Sequence, residues 1–317
     1  MSASVSASTV DRHIRGLRAP KPYVDPWTAH DWIVEPERRP GGVERALTVF
    51  LAGAECPFTF SFCDLWRWTI DGPTPAGALP TQLTKVLASL EPPLPDRLKL
   101  YNASNFFDRR AVPLQDLPAI AELACPFAGV TVESHASTVG PATLQFARRT
   151  SGRLEVAMGL ETIHPVAMQH LNKRLDLARF DAAARFLADH DIDLRVFVLL
   201  GVPYVAPDES VEWAVRTVEY AVSRGAVYIS LIPVRPGNGE LERLATLGNF
   251  VRPTLSQLED ALDRCSVFAP AVVAADLWDV DRLVTCAACH EERVARLRQL
   301  NVRGEAVARV TCNECGT

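Results

Sequence analysis

From residue 46 onward, short apolar runs alternate with stretches whose apolar residues recur at helical spacing. Six runs, at 47–51, 98–102, 129–133, 154–159, 194–200 and 228–233, are rich in Val, Ile, Leu or Phe and lack polar alternation. That is the pattern of strands buried on both faces. Helical patterns lie between them at 79–90, 114–123, 142–149, 177–188 and 208–223, and another follows at 255–266. The stretch at 208–223 opens with Asp208 and Glu209 behind Pro207 and closes at Arg224-Gly225. Acidic residues in a first turn and a glycine just past the last one are helix start and stop signals. Six consecutive strand–helix units require right-handed parallel crossovers, hence either a barrel or a doubly wound sheet. Periodicity does not separate the two. In both, ligands bind at the carboxyl ends of the strands.

The flanks read differently. Residues 1–45 are rich in Arg, Pro and Ser, with Trp27 and Trp32 among charges, and are expected to form an irregular arm against the main domain. The expected organisation is an arm at 1–45, a barrel at 46–270 and a metal-binding tail at 271–317. With 317 residues, 48% hydrophobic and 22% charged, the chain can bury one large core plus small appendages. A net charge of -5 argues against non-specific nucleic-acid binding. No run approaches the length of a membrane span, and residues 1–10 carry no apolar secretory core. A cytoplasmic location without a membrane partner is therefore expected.

Eight cysteines then change the picture. Cys125 and Cys265 are isolated and read as structural thiols. Cys286-x2-Cys289 and Cys312-x2-Cys315 are two knuckles able to give four thiolates to one Zn2+. A second iron–sulfur cluster or two unmetallated pairs are the alternatives. Cys286 to His290 also spells a haem-attachment signature, set aside because the second pair accounts for the first. Arg293, Arg296, Arg298, Arg303 and Arg309, interspersed with acids, read as a solvated face or as contacts for RNA phosphates.

The loop after the first of the six strands carries Cys56 and Cys63, with Phe58, Phe60 and Phe62 between them. A cysteine at position 60 would complete the C-x3-C-x2-C spacing, and a phenyl ring cannot ligate iron. The segment Glu55-Cys56-Pro57-Phe58 to Phe62-Cys63-Asp64-Leu65-Trp66 resembles the first-strand loop of radical S-adenosylmethionine (SAM) proteins. The stretches 99–108, Met158-Gly159-Leu160-Glu161-Thr162 with Leu171-Asn172-Lys173, and 230–235 are similar to later segments of the same superfamily, in the same order. The similarity is to the branch holding elongator-type enzymes and the archaeosine-forming subunit. It implies an α/β fold, a partial (β/α)6 TIM-like barrel with SAM lying across the strand ends. It also implies Cys56 and Cys63 as ligands of a [4Fe-4S] cluster that cleaves SAM reductively. Phe62 would lie near the adenine, Glu133, Glu161 and Lys173 near SAM's polar groups, and Arg235 and Asn238 near its sugar or adenine end. The branch suggests RNA, such as a tRNA base, as substrate. The alternative is a degenerate, non-catalytic barrel with only a structural zinc site.

Overall fold

The computed structural model describes residues 7–283, 285–305 and 307–316. The first six residues of the arm therefore lie outside the described part. In chain order the elements are α1 (Ala7–Gly16), β1 (Asp31–Arg39), β2 (Gly42–Phe50), α2 (Ala78–Ala88), β3 (Arg97–Tyr101) and α3 (Leu117–Ala124). They continue with β4 (Gly129–Glu133), α4 (Pro141–Ala147), β5 (Arg153–Glu161), α5 (Pro165–His170), α6 (Leu177–Asp189) and β6 (Asp193–Leu200). The last are α7 (Ser210–Ser223), β7 (Ala226–Pro233), α8 (Glu240–Thr246), α9 (Leu255–Cys265), β8 (Val272–Ala275) and α10 (His290–Arg303).

All eight strands form one sheet in the order β1 to β8. β1 is antiparallel to β2, and every later pair is parallel. A doubly wound sheet reverses its strand order at a switch point. Here the order never reverses, so every crossover helix packs on the same face and the sheet curls. Strands about 4.8 Å apart would put β1 and β6 roughly 24 Å from each other in a flat sheet. Instead Glu37 on β1 meets Arg195 on β6 at 2.5 Å across the bore. The sheet is a nearly closed barrel.

Its bore is ionic toward the amino ends of the strands. Arg195 is completely buried, bonded to Glu37 and, at 2.6 Å, to Glu155 on β5. Arg39 reaches Glu155 at 2.5 Å, Lys99 reaches Glu37 at 2.8 Å, and Thr131 donates to Glu155 at 3.0 Å. Tyr228 lies against the Arg195 guanidinium, 3.7 Å from ring centroid to carbon. Buried charges persist when each is paired and hydrogen-bonded. The aliphatic core lies outside this bore, between the sheet and its helices, and includes Leu47, Leu98, Val130, Val156, Val196 and Leu258.

The seam between β8 and β1 is bridged by side chains. Arg38 donates to the Val273 carbonyl at 3.0 Å. Asn301 of α10 accepts from the Ala275 amide and donates to its carbonyl, both at 2.8 Å, covering an edge that would otherwise be open. The six expected strands and the six expected helices all form. The arm departs from expectation: it is not irregular but supplies α1 and the antiparallel strand β1. The sheet also gains β8.

Candidate functional site

Backbone strain marks the carboxyl end of the barrel. Ala103, Glu161, Asn172, Arg174 and Tyr204 all have left-handed backbone, with φ of 52°, 67°, 53°, 56° and 68°. All five lie at strand ends or in the loops that leave them, where a non-glycine residue costs on the order of 1–2 kcal/mol. Buried side-chain atoms of Thr59, Ser61, Asn102 and Ser104 in the same region have no protein hydrogen-bond partner.

The loop after β2 forms the centre of this region. Phe58, Phe60 and Phe62 stack in series, with centroids 6.0 and 5.6 Å apart and planes inclined by 9° and 15°. Cys56 and Cys63 flank the stack. Burial pushes their thiols up to about 11 and about 12, so both are protonated at neutral pH. Asn105 donates to Cys56 Sγ at 3.6 Å and accepts the His135 amide at 2.8 Å.

Lys173 lies over this loop. Its Nζ is 4.4 Å from the Phe60 ring centroid and 2.6 Å from Glu161 Oε1, and both charged side chains are buried. Gly159 makes that pairing possible, because a Cβ there would collide with Glu161 Oε1 and Lys173 Nζ. His135 Nε2 lies 3.1 Å from the Lys173 carbonyl oxygen. Burial, helped by the Lys173 charge, pushes that imidazole down to about 4 and keeps it neutral. Glu133 ends β4 and accepts the Asn102 amide at 2.7 Å. Burial raises its carboxyl to about 7 against the pull of the Asn102, Ala103 and Ser104 amides.

The structure thus brings together Cys56, Cys63, Phe62, Glu133, Glu161 and Lys173. Arg235 and Asn238 are held by protein partners, Asn238 on the loop itself. Arg235 pairs with Asp276, and Asn238 donates to the Ser61 carbonyl at 2.7 Å while accepting the Leu241 amide at 2.9 Å. Asn105 and Asn172 lie in segments that carry the resemblance, but no role follows for either from the sequence. Each is a polar loop residue with no spacing signal, and only the fold reveals what it holds.

A [4Fe-4S] cluster on this loop needs three thiolates, and the residues present do not fit one. Phe60 fills the central position with an aromatic stack, a buried ammonium lies on its face, and only two thiols flank it. No other cysteine compensates. Cys125 donates to the Ala121 carbonyl at the end of α3, at 3.3 Å, and Cys265 is buried in the core.

The tail is different. The Sγ atoms of Cys286, Cys289, Cys312 and Cys315 all lie within 4.8 Å of one another, and Cys289 and Cys315 are 3.8 Å apart. Four thiolates at about 2.3 Å around a tetrahedral zinc stand about 3.8 Å apart, so this donor set suits a metal ion. Arg296 fixes the segment leading to the second knuckle, donating to the Val307 and Ala308 carbonyls at 2.9 and 3.1 Å. Three of the tail arginines are paired with α9, Arg293 and Arg296 buried there and Arg309 exposed. Arg293 pairs with Glu259, Arg296 with Asp263, and Arg309 with Asp260 and Asp263, all on α9.

No protein-family model matches the chain, and no curated protein matches it significantly. Solved structures do match. Archaeal Methanocaldococcus infernus Elp3 with its N-terminus deleted aligns at 11% identity and TM-score 0.51, over 71% of this chain and 58% of that one. The chain thus spans under two thirds of that structure. A radical SAM methyltransferase from Sphaerobacter thermophilus aligns at 16% identity and TM-score 0.51, over 78% and 79% of the two chains. A spore photoproduct lyase variant with dinucleoside spore photoproduct aligns at 13% identity and TM-score 0.52, over 71% and 74%. At such identities the likeness is one of architecture, and the architecture of this chain is that of the radical SAM enzymes.

Proposed function

We propose that the protein is a radical SAM-fold protein that binds its ligand at the strand ends without holding the cluster, a descendant of cluster-using enzymes. The observation that carries this reading is Phe60, stacked between Phe58 and Phe62 beneath the Lys173 ammonium. An ion pair and three rings there favour a settled, metal-free arrangement, and a cation over a ring contributes about 0.5–2 kcal/mol when desolvated. Cys56 and Cys63 are two thiols where a cluster on this loop takes three, and Phe60 cannot supply the third.

SAM is the ligand this fold suggests, and an RNA component is the partner that the elongator-like branch suggests. On this reading Lys173, Glu161 and Glu133 meet the ligand's polar groups, while Phe62 offers a ring for an adenine. Lys173 orients an acidic group of the ligand, Glu161 holds the ammonium in place, and the aromatic stack excludes water beneath it. The four tail cysteines hold Zn2+, whose role is structural: it ties the second knuckle to α10. Among the described residues no helix is long and apolar enough to cross a membrane.

Titration calorimetry of the zinc-loaded, iron-free protein with SAM tests this. The expected result is saturable binding that Lys173→Met weakens, and no 5'-deoxyadenosine from a second sample first reconstituted anaerobically with iron and sulfide and then reduced. Reductive release of 5'-deoxyadenosine by the natural chain would support the opposite reading, a working cluster loop.

A further inference from the structure

We infer that α1 is a gate: this helix of the N-terminal arm roofs the loop of residues 56–63 and controls access to Cys56 at the strand ends. Three separate loops of the barrel mouth hold it. On one side, Asp11 accepts from Asn172 at 2.8 Å and pairs with Arg174. On another, His13 Nε2 lies 3.2 Å from Glu240 Oε2. The Leu17 backbone comes so near Gly239 that a Cβ there would strike the Leu17 carbonyl. On the third, Arg18 bonds Glu55 at 2.7 Å and lies over the Trp66 ring at 4.8 Å. Ile14, the buried apolar residue of the helix, is only 2% exposed.

These contacts suit a movable element better than a piece of the core. The tethers are polar, and the packing across the helix depends on one aliphatic side chain. Elements that open at low free energy have few buried apolar contacts. The Asp11 tether also lands on strained backbone, since Asn172 and Arg174 both have left-handed φ. Asn172 spends its amide twice, on Asp11 and, at 2.7 Å, on the Thr59 carbonyl. Lifting α1 therefore frees a donor that also anchors the loop carrying Phe60. In the closed state the approach to Cys56 is a cavity of about 270 Å³ lined by Arg15 of α1 together with Glu55, Pro57 and Arg110. A gate of this kind would control what reaches Cys56, with or without a cluster.

The test is the alkylation rate of Cys56 in the full-length, zinc-loaded protein by a fluorescein maleimide, with peptide mapping to separate the cysteines. Cys265, 1% exposed in the core, reports loss of the fold. Asp11→Arg, which faces Arg174 with a like charge, and Ile14→Asp should each raise the Cys56 rate by about tenfold or more while Cys265 stays unreactive. The charge-swapped pair Asp11→Arg with Arg174→Asp should restore protection. An unchanged Cys56 rate in both single variants would overturn the gate. So would failure of the swap to restore protection, or a parallel rise at Cys265, which would make α1 part of the core.

Discussion

The two ends of one barrel hold buried charge differently, although Thr48 and Arg97 near the amino end also keep an unpartnered buried atom. At the amino end, Glu37, Glu155, Lys99, Arg39 and Arg195 are bonded to one another, and burial leaves none of the five unpaired. At the carboxyl end, the side chains of Asn102, Ser104, Thr59 and Ser61 have unpartnered atoms, two thiols are held neutral, and the backbone is strained. Sites that act on ligands are where polar groups are left under-used and strain persists. A closed ionic network holds shape. The comparison assigns stability to one end and recognition to the other, and substitutions can separate them.

The largest effect belongs to the bore. Arg195→Met leaves two carboxylates buried without their shared cation and should destabilise the fold by about 3–5 kcal/mol, measured by denaturant unfolding. The same network sets the acid limit. Burial alone would raise both Glu37 and Glu155, but Arg195 together with Lys99 at Glu37, and with Arg39 and Arg97 at Glu155, outweighs it and holds both below the ordinary carboxylate range. Their contribution is fully present above the unfolded carboxyl value, about 4.3. It is lost as pH falls through the depressed folded values. Thermal scans should show stability falling steeply below that point in the natural chain.

The bore also explains what could be read in the sequence. Strands β2 to β7 are legible because their apolar runs face the helices. β1 is not, because its inward positions are Glu37 and Arg39, answering charges elsewhere in the bore, and Pro36 sits among them. Charged residues and a proline look like a solvated arm until the opposite wall is known. α1 does carry a helical stripe, Val10 and Ile14 with Leu17 just beyond, but it is short and set among polar residues, so it does not stand out within the arm. The four tail cysteines were legible through spacing alone. Glu161 and Lys173 became visible only through resemblance, and Gly159 needs coordinates, since its role is to leave room for both.

Smaller effects sharpen the contrast at the mouth. Gly159→Ala pushes a methyl group into the Glu161–Lys173 pair and should cost about 1–3 kcal/mol by overpacking. It should also weaken ligand binding, an effect Arg195→Lys should lack at matched stability. Glu133→Gln acts more gently. With its folded carboxyl raised to about 7, Glu133 favours the native state at low pH and withdraws that contribution as pH rises from about 4.3 through 7. The glutamine variant should therefore show a flatter stability profile across that window, with a change of a few kcal/mol at most. An identical profile would remove Glu133 from the group of poised residues.

The central claim concerns residue 60, and iron with acid-labile sulfide is its most direct measure. The natural chain and Phe60→Cys would be reconstituted anaerobically, with Cys315→Ser in both backgrounds to discount iron captured by the tail. The natural chain should hold almost no sulfide and give no cluster signal in electron paramagnetic resonance. Phe60→Cys should gain about four irons and matching sulfide. A natural chain that binds about four irons with equal sulfide, and shows the cluster signal despite Phe60, would contradict the account.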